Sequence, residues 1–116
     1  MNKITYLAIP YTFEPELSFS IVNKMAAKYM QEGKIVFSPI SHSHPIALEM
    51  EDDNIQLDHD FWMKQDGEIL KRCDELIILI VGDDGIELIE NSRGVQAEIR
   101  IAEENEIPIK YKFVNI

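Results

Sequence analysis

Two carboxylates sit where the helical spacing of their neighbours calls for apolar side chains. Between Ser92 and Asn105, a projection at about 100° per residue gathers Val95, Ile99, Ile101 and Ala102 into one apolar arc. Glu98 falls inside that arc, between Ile101 and Ala102, while Arg100, Glu103 and Glu104 take the other side as a solvated face does. The stretch from Leu57 to Cys73 repeats the anomaly: Trp62, Ile69, Leu70 and Cys73 align, and Asp66 interrupts them between Cys73 and Leu70. A carboxylate on a core-facing stripe costs roughly several kcal/mol unless it is paired, hydrogen-bonded or opens onto a cavity. Two such acids flanking one pocket suit glycosyl chemistry, because an oxocarbenium-like transition state carries positive charge that a carboxylate stabilises or captures covalently. The plainer alternative is an acid at the edge of its stripe, or one satisfied by a backbone amide.

Other side chains could serve the same pocket. Ser92 has the residue type of a helix N-cap, and with the amides of Gly94 and Val95 it could hold an anion. His42 and His44, in H-S-H, are spaced like a strand-borne metal pair, but no third and fourth ligand follows, so no metal is expected. They read instead as loop residues facing a substrate or solvent. Trp62 reads first as core and second as a stacking platform. Asp58 lies one to two turns ahead of Asp66 on nearly the same face and is a secondary pocket candidate. Cys73, whose one basic neighbour Arg72 should point away, reads as an inert core thiol.

The elements that must carry these residues alternate between strand and helix. Ile4 to Ile9 is a buried strand ending at Pro10. Glu14 to Glu32 has helical spacing through Leu17, Ile21, Met25 and Tyr29, with Gly33 where a C-cap belongs. Lys34 to Phe37 is a second strand, and Ser38 to Leu57 an irregular, substrate-facing loop in which Pro45 to Met50 could form a short helix. The run Leu76 to Val81 is apolar throughout, as a central parallel strand buried on both faces must be. Gly82 to Asn91 reads as a loop, and Ile107 to Phe113, interrupted by Pro108, as the last strand. The order predicts a doubly wound, flavodoxin-like α/β fold: a parallel sheet of four to five strands flanked by helices. Ligands of such sheets bind beyond the C-terminal strand ends, so the loops after Ile9, Phe37 and Val81 should converge on one cleft.

Length and composition narrow the partners. A chain of 116 residues, 46% hydrophobic and 28% charged, fits one domain spanning residues 1–116. With 21 acidic against 11 basic residues, the net charge of −10 repels phosphate backbones and anionic lipids, which argues against long nucleic acids and membrane surfaces. A small molecule with one phosphate remains compatible, since a helix N-terminus can hold it locally. One cysteine allows no internal disulfide, no run approaches the roughly 20 apolar residues of a membrane span, and Met1 to Pro10 lacks the layout of a signal peptide. A cytoplasmic setting is the resulting expectation. The broad apolar face of the first helix suggests a homodimer or a higher homo-oligomer.

The segment SRGVQAE, from Ser92 to Glu98, with Ile99, Ala102 and the entry Ile107-Pro108, resembles the signature of the nucleoside 2-deoxyribosyltransferase superfamily. There a small or acidic residue precedes a glycine turn, with a nucleophilic glutamate six residues on. Asp66, eight residues before Asp74 of CDELIILI, resembles the superfamily's active-site aspartate. YLAIPYT resembles its first strand and substrate loop, which brings in Ala8, Pro10 and Tyr11. Taken whole, the chain looks most like the short branch called DUF1937.

That resemblance implies a nucleoside or nucleotide as the ligand, cleavage or transfer at its N-glycosidic bond, and no cofactor. Glu98 would attack C1′, Asp66 would orient it or shuttle a proton to the departing base, and Tyr11 would line the sugar pocket and could hydrogen-bond Glu98. Two departures pull in opposite directions on the 5′-phosphate. The loop from Tyr11 to Glu16 holds two acids and no arginine, unlike the Gly/Arg-rich loop of monophosphate hydrolases, whereas Ser92 stands where those hydrolases carry serine. The competing readings are a non-catalytic nucleotide or nucleoside sensor on the same fold and, less well matched, a receiver-like signalling domain. A receiver needs paired acids after its first strand, where this chain has Ile9-Pro10.

Overall fold

The computed structural model describes residues 2–11, 15–50 and 59–115. Across them run β1 (Ile4–Ala8), α1 (Pro15–Gln31), β2 (Ile35–Phe37), α2 (Pro39–Leu48), α3 (His59–Leu70), β3 (Glu75–Val81), α4 (Gly85–Glu90), α5 (Arg93–Glu104) and β4 (Ile109–Val114). The strands pair in parallel in the order β2-β1-β3-β4. Strand alternation sends Tyr6, Ala8, Leu76, Ile78 and Ile80 to one face, against Leu70 of α3, Ile89 of α4 and Val95 and Ala102 of α5. Leu7, Ile9, Ile77 and Leu79 take the other face, against Ile21, Val22, Ala26 and Tyr29 of α1 and Ile40 of α2. The result is a four-stranded parallel sheet covered on both sides, the doubly wound α/β fold. Among the described residues, no helix is long and apolar enough to cross a membrane.

The chain leaves β1 for β2 on one side and returns to β3 on the other. The strand order therefore switches between the C-terminal ends of β1 and β3, where such folds open a crevice. Helix α1 ends as the glycine suggests: Gly33 takes φ 97°, its N–H donates to Met30 O at 3.0 Å, and the Lys34 N–H reaches Tyr29 O at 2.9 Å. These are the two bonds of a Schellman cap.

Three segments differ from the sequence reading. Where two prolines suggest a loop from Ser38 to Leu57, Pro39–Leu48 is a helix; residues 51–58 lie outside the described part. Pro39 is a start signal here, at the first helical turn after the cap Ser38, whose Oγ accepts from the Ser41 N–H at 3.3 Å. Pro45 sits inside the helix, and burial of Ile40 and His44 outweighs its cost. Within the expected loop from Gly82 to Asn91, Gly85–Glu90 forms α4, because Ile89 is drawn into the core. The last strand starts at Ile109 instead of Ile107. The Ile107 N–H closes α5 on Ala102 O at 2.8 Å, and Pro108 has no N–H to give the ladder, although its carbonyl accepts from Leu76 at 2.9 Å.

Candidate active site

Helices α3 and α5 pack closely because α3 carries glycine at their contact: a Cβ on Gly67 would lie 3.1 Å from Ile101 Cδ1. This approach brings Asp66, next in the chain to Gly67, and Glu98 onto one cavity of about 500 Å³. Its walls come from the residues after β1 (Ile9, Tyr11), from α2 (Ile40, His44), from α3 (Trp62, Asp66) and from the start of α5 (Ser92, Gly94, Glu98). A mostly apolar hollow with a few convergent polar groups is the form small-molecule sites take.

Of the residues singled out from sequence, Glu98, Asp66, Tyr11, Ser92, Gly94, Trp62 and His44 thus share one cavity. Ala8 and Pro10 do not line it: Ala8 is packed into the core beside Tyr6, and Pro10 is buried with its carbonyl accepting from Ser18 Oγ at 3.0 Å. His42 stays outside the lining as well. On a helix, residues two apart diverge, so His44 turns inward while His42 remains exposed, its ring 5.6 Å from that of Phe37. Asp58 lies outside the described residues. Cys73 is buried, and burial and the charge of Asp74 push its thiol up to about 11, as suits an inert core group.

Glu98 is 6% exposed, and the Tyr6 hydroxyl donates to its Oε2. Burial pushes the Glu98 carboxyl up to about 8; the Tyr6 hydrogen bond opposes the rise, and the charge of Asp66 adds to it. Asp66 is pushed to about 6 by burial, with His42 pulling the other way. Between those two values the pair holds a single proton, the split that lets two like acids take opposite roles. Tyr6, deeply buried beside both acids, is raised well above the usual phenol range and stays a donor throughout.

The hydrogen bond to Glu98 comes from Tyr6, not from Tyr11, whose hydroxyl meets His44 Nδ1 instead. Tyr6 lies on the β1 face that packs on α3 and α5, whereas Tyr11 lies beyond the strand end, beside α2. Strand alternation held the signal, since a phenol on a fully buried strand must find an acceptor. His59, Asn91 and Arg93 also line the cavity, and nothing in their sequence setting separates them from ordinary surface residues.

The sheet order and its flanking helices form a nucleoside 2-deoxyribosyltransferase-like fold. The chain belongs to the family described as Domain of unknown function (DUF1937), whose model matches residues 3–112. Among solved structures it is similar to a 2-deoxyribosyltransferase from the psychrotolerant bacterium Bacillus psychrosaccharolyticus, described as a biocatalyst for the synthesis of antiviral and antitumoral nucleosides. The TM-score is 0.64 at 19% identity, over 95% of this chain and 72% of that one. No curated protein matches this chain.

Proposed function

We propose that this chain breaks or exchanges the N-glycosidic bond of a (deoxy)nucleoside or nucleoside 5′-monophosphate, with Glu98 as nucleophile. The observation that supports this reading best is a buried glutamate opening onto a cavity, held by a phenol donor and coupled to a second acid. In the first step the pair's one proton passes from Glu98 to Asp66, and the freed Glu98 oxygen bonds to C1′ while the bond from C1′ to the base nitrogen breaks. That electron pair leaves on the base, which takes a proton from Asp66. In the second, a nitrogen of another base or a water oxygen attacks C1′ from the opposite face, expels Glu98 and returns a proton to Asp66, so the configuration is retained. Tyr6 steadies the ionised Glu98 before it attacks and again as it is expelled. The steps need no cofactor.

A second reading has its own support. A carboxyl raised to about 8 is mostly protonated at neutral pH, and in that form it could donate to a sugar hydroxyl in a non-catalytic sensor. Incubation with nucleosides and 5′-monophosphates, with and without a second base, separates the two readings. Free or exchanged base that disappears in Glu98→Ala supports catalysis, whereas ligand binding with no base released supports the sensor.

A further inference from the structure

A second polar group lines the cavity, on the wall where the end of β1 meets α2. His44 is 6% exposed, and both of its ring nitrogens are engaged: Nδ1 by the Tyr11 hydroxyl and Nε2 by Glu16 Oε1 at 3.0 Å. The Phe19 ring stacks on the imidazole at 4.4 Å between centroids, with 29° between planes, so the ring is fixed in place. Tyr11 and His44 face the cavity, while Glu16 stands behind with its side chain 79% exposed.

A solvated carboxylate can only accept, so Nε2 must carry the hydrogen that meets Glu16. In a neutral imidazole the other nitrogen is then an acceptor, and the Tyr11 hydroxyl must donate to it. The phenol proton is committed to His44, and the Tyr11 oxygen has only lone pairs left for the cavity.

We propose that Glu16, His44 and Tyr11 form a positioning chain that holds the Tyr11 oxygen as a hydrogen-bond acceptor, so that this wall selects an uncharged donor on the ligand, a free hydroxyl or amino group. An anionic phosphate at this wall would oppose lone pair to lone pair, with the Glu16 carboxylate behind it. The site therefore favours free nucleosides there, or nucleotides whose phosphate points elsewhere. The inference rests on the cavity being a nucleoside site; the tautomer of His44 does not.

Two measurements test it. Imidazole ¹⁵N spectra near pH 8 should show His44, identified as the signal missing from His44→Gln, protonated at Nε2 and accepting at Nδ1. Tyr11→Phe should shift the Nδ1 resonance, and Glu16→Gln should loosen the tautomer preference; an Nδ1-protonated ring overturns the chain. The second is calorimetry on Glu98→Gln protein, which cannot turn over, with 2′-deoxyadenosine and analogues lacking one donor each: 3′-O-methyl, 5′-O-methyl, and the purine without its 6-amino group. One analogue should bind about tenfold more weakly, and added Tyr11→Phe should erase that difference, identifying which donor the wall reads. Discrimination that survives Tyr11→Phe overturns this proposal and leaves the glycosyl reading standing. If no nucleoside binds at all, the reading of the cavity fails and this ligand class with it, even where the His44 tautomer is as stated.

Discussion

Glu75 and Glu98 are buried almost equally, 3% and 6% exposed, yet their surroundings push them in opposite directions. At the start of β3, Glu75 accepts from the Thr5 hydroxyl at 2.6 Å and lies 2.9 Å from the Lys110 ammonium and 3.5 Å from that of Lys34. The Thr5 hydrogen bond leads, the two lysines add, and together they overcome burial and hold the carboxyl down to about 2. Glu98 has a neutral phenol as its donor, and the charge acting on it is the like charge of Asp66, so burial wins and the group rises to about 8. Burial alone therefore does not say what an acid is for. One glutamate ties β1, Lys34 just before β2 and Lys110 of β4 to β3, while the other keeps its proton to unusually high pH beside a cavity.

Glu98→Gln should sharpen this contrast most. Base release should fall by about 10³-fold or more, since the amide cannot attack C1′, while folding is not harmed. The folded carboxyl titrates at about 8 against an ordinary 4.5, so unfolding releases a proton between those values. Its favourable contribution is complete below about 4.5 and is lost as pH rises through about 8. Urea titrations from pH 5 to 9 should therefore show the variant gaining on the parent protein by on the order of a few kcal/mol across that window. Undiminished base release, or two stability curves that run parallel, would break the comparison.

Glu75→Gln should do the reverse. Stability at neutral pH should drop by about 2 kcal/mol, less than for a sealed ion pair because both lysine partners remain partly solvated. Here the folded value lies below the ordinary one, so the contribution is present above about 4.5 and fades as pH falls through about 2. Turnover by the folded fraction should be unchanged, and a loss of turnover per folded molecule would show that the two glutamates are coupled.

Tyr6→Phe probes what the phenol adds to Glu98. For the parent protein kcat/KM should follow a bell with limbs near 6 and 8, the values between which the acids share one proton. Without the Tyr6 bond the upper limb should move to higher pH, and the optimum should fall about tenfold, the worth of one hydrogen bond to a charged group. A profile with no displaced limb would mean that Tyr6 serves packing alone.

The two glutamates also differ in how far sequence exposes them. Glu98 is conspicuous because one helix repeats its apolar spacing through Val95 and Ala102, and a charge inside that stripe contradicts it. Glu75 precedes an apolar run, where an acid reads as an ordinary strand boundary, and its partners come from Thr5, Lys34 and Lys110. Only strand register joins those residues, with Thr5 opposite Glu75, and register is a long-range property. Tyr6 escaped for a related reason: its partner lies ninety-two residues on, across the sheet face. The central strand, both caps at Gly33 and Ser92, and the convergence of loops at the switch in strand order rest on local pattern and were legible. Helix α2 was obscured because one proline starts it and another lies within it, and α4 exists through the burial of Ile89, against its local turn signals.

The smallest effect tests whether cations, more than the hydroxyl, make Glu75 different. Lys34 is 39% exposed and 3.5 Å from Glu75, so water screens much of the attraction. Lys34→Met keeps an aliphatic chain but removes the ammonium, which also lies 5.9 Å from the centre of the Tyr29 ring, and stability at pH 7 should fall by about 0.5 kcal/mol. That loss should shrink with added salt and vanish below about pH 2, where the Glu75 carboxyl is protonated and has no charge for Lys34 to meet. The bell of kcat/KM should keep both limbs in place, since no cation helps to set the Glu98 value. A loss that persists in acid would assign the effect of Lys34 to its contact with the Tyr29 ring, leaving Thr5 and Lys110 to account for the low value of Glu75.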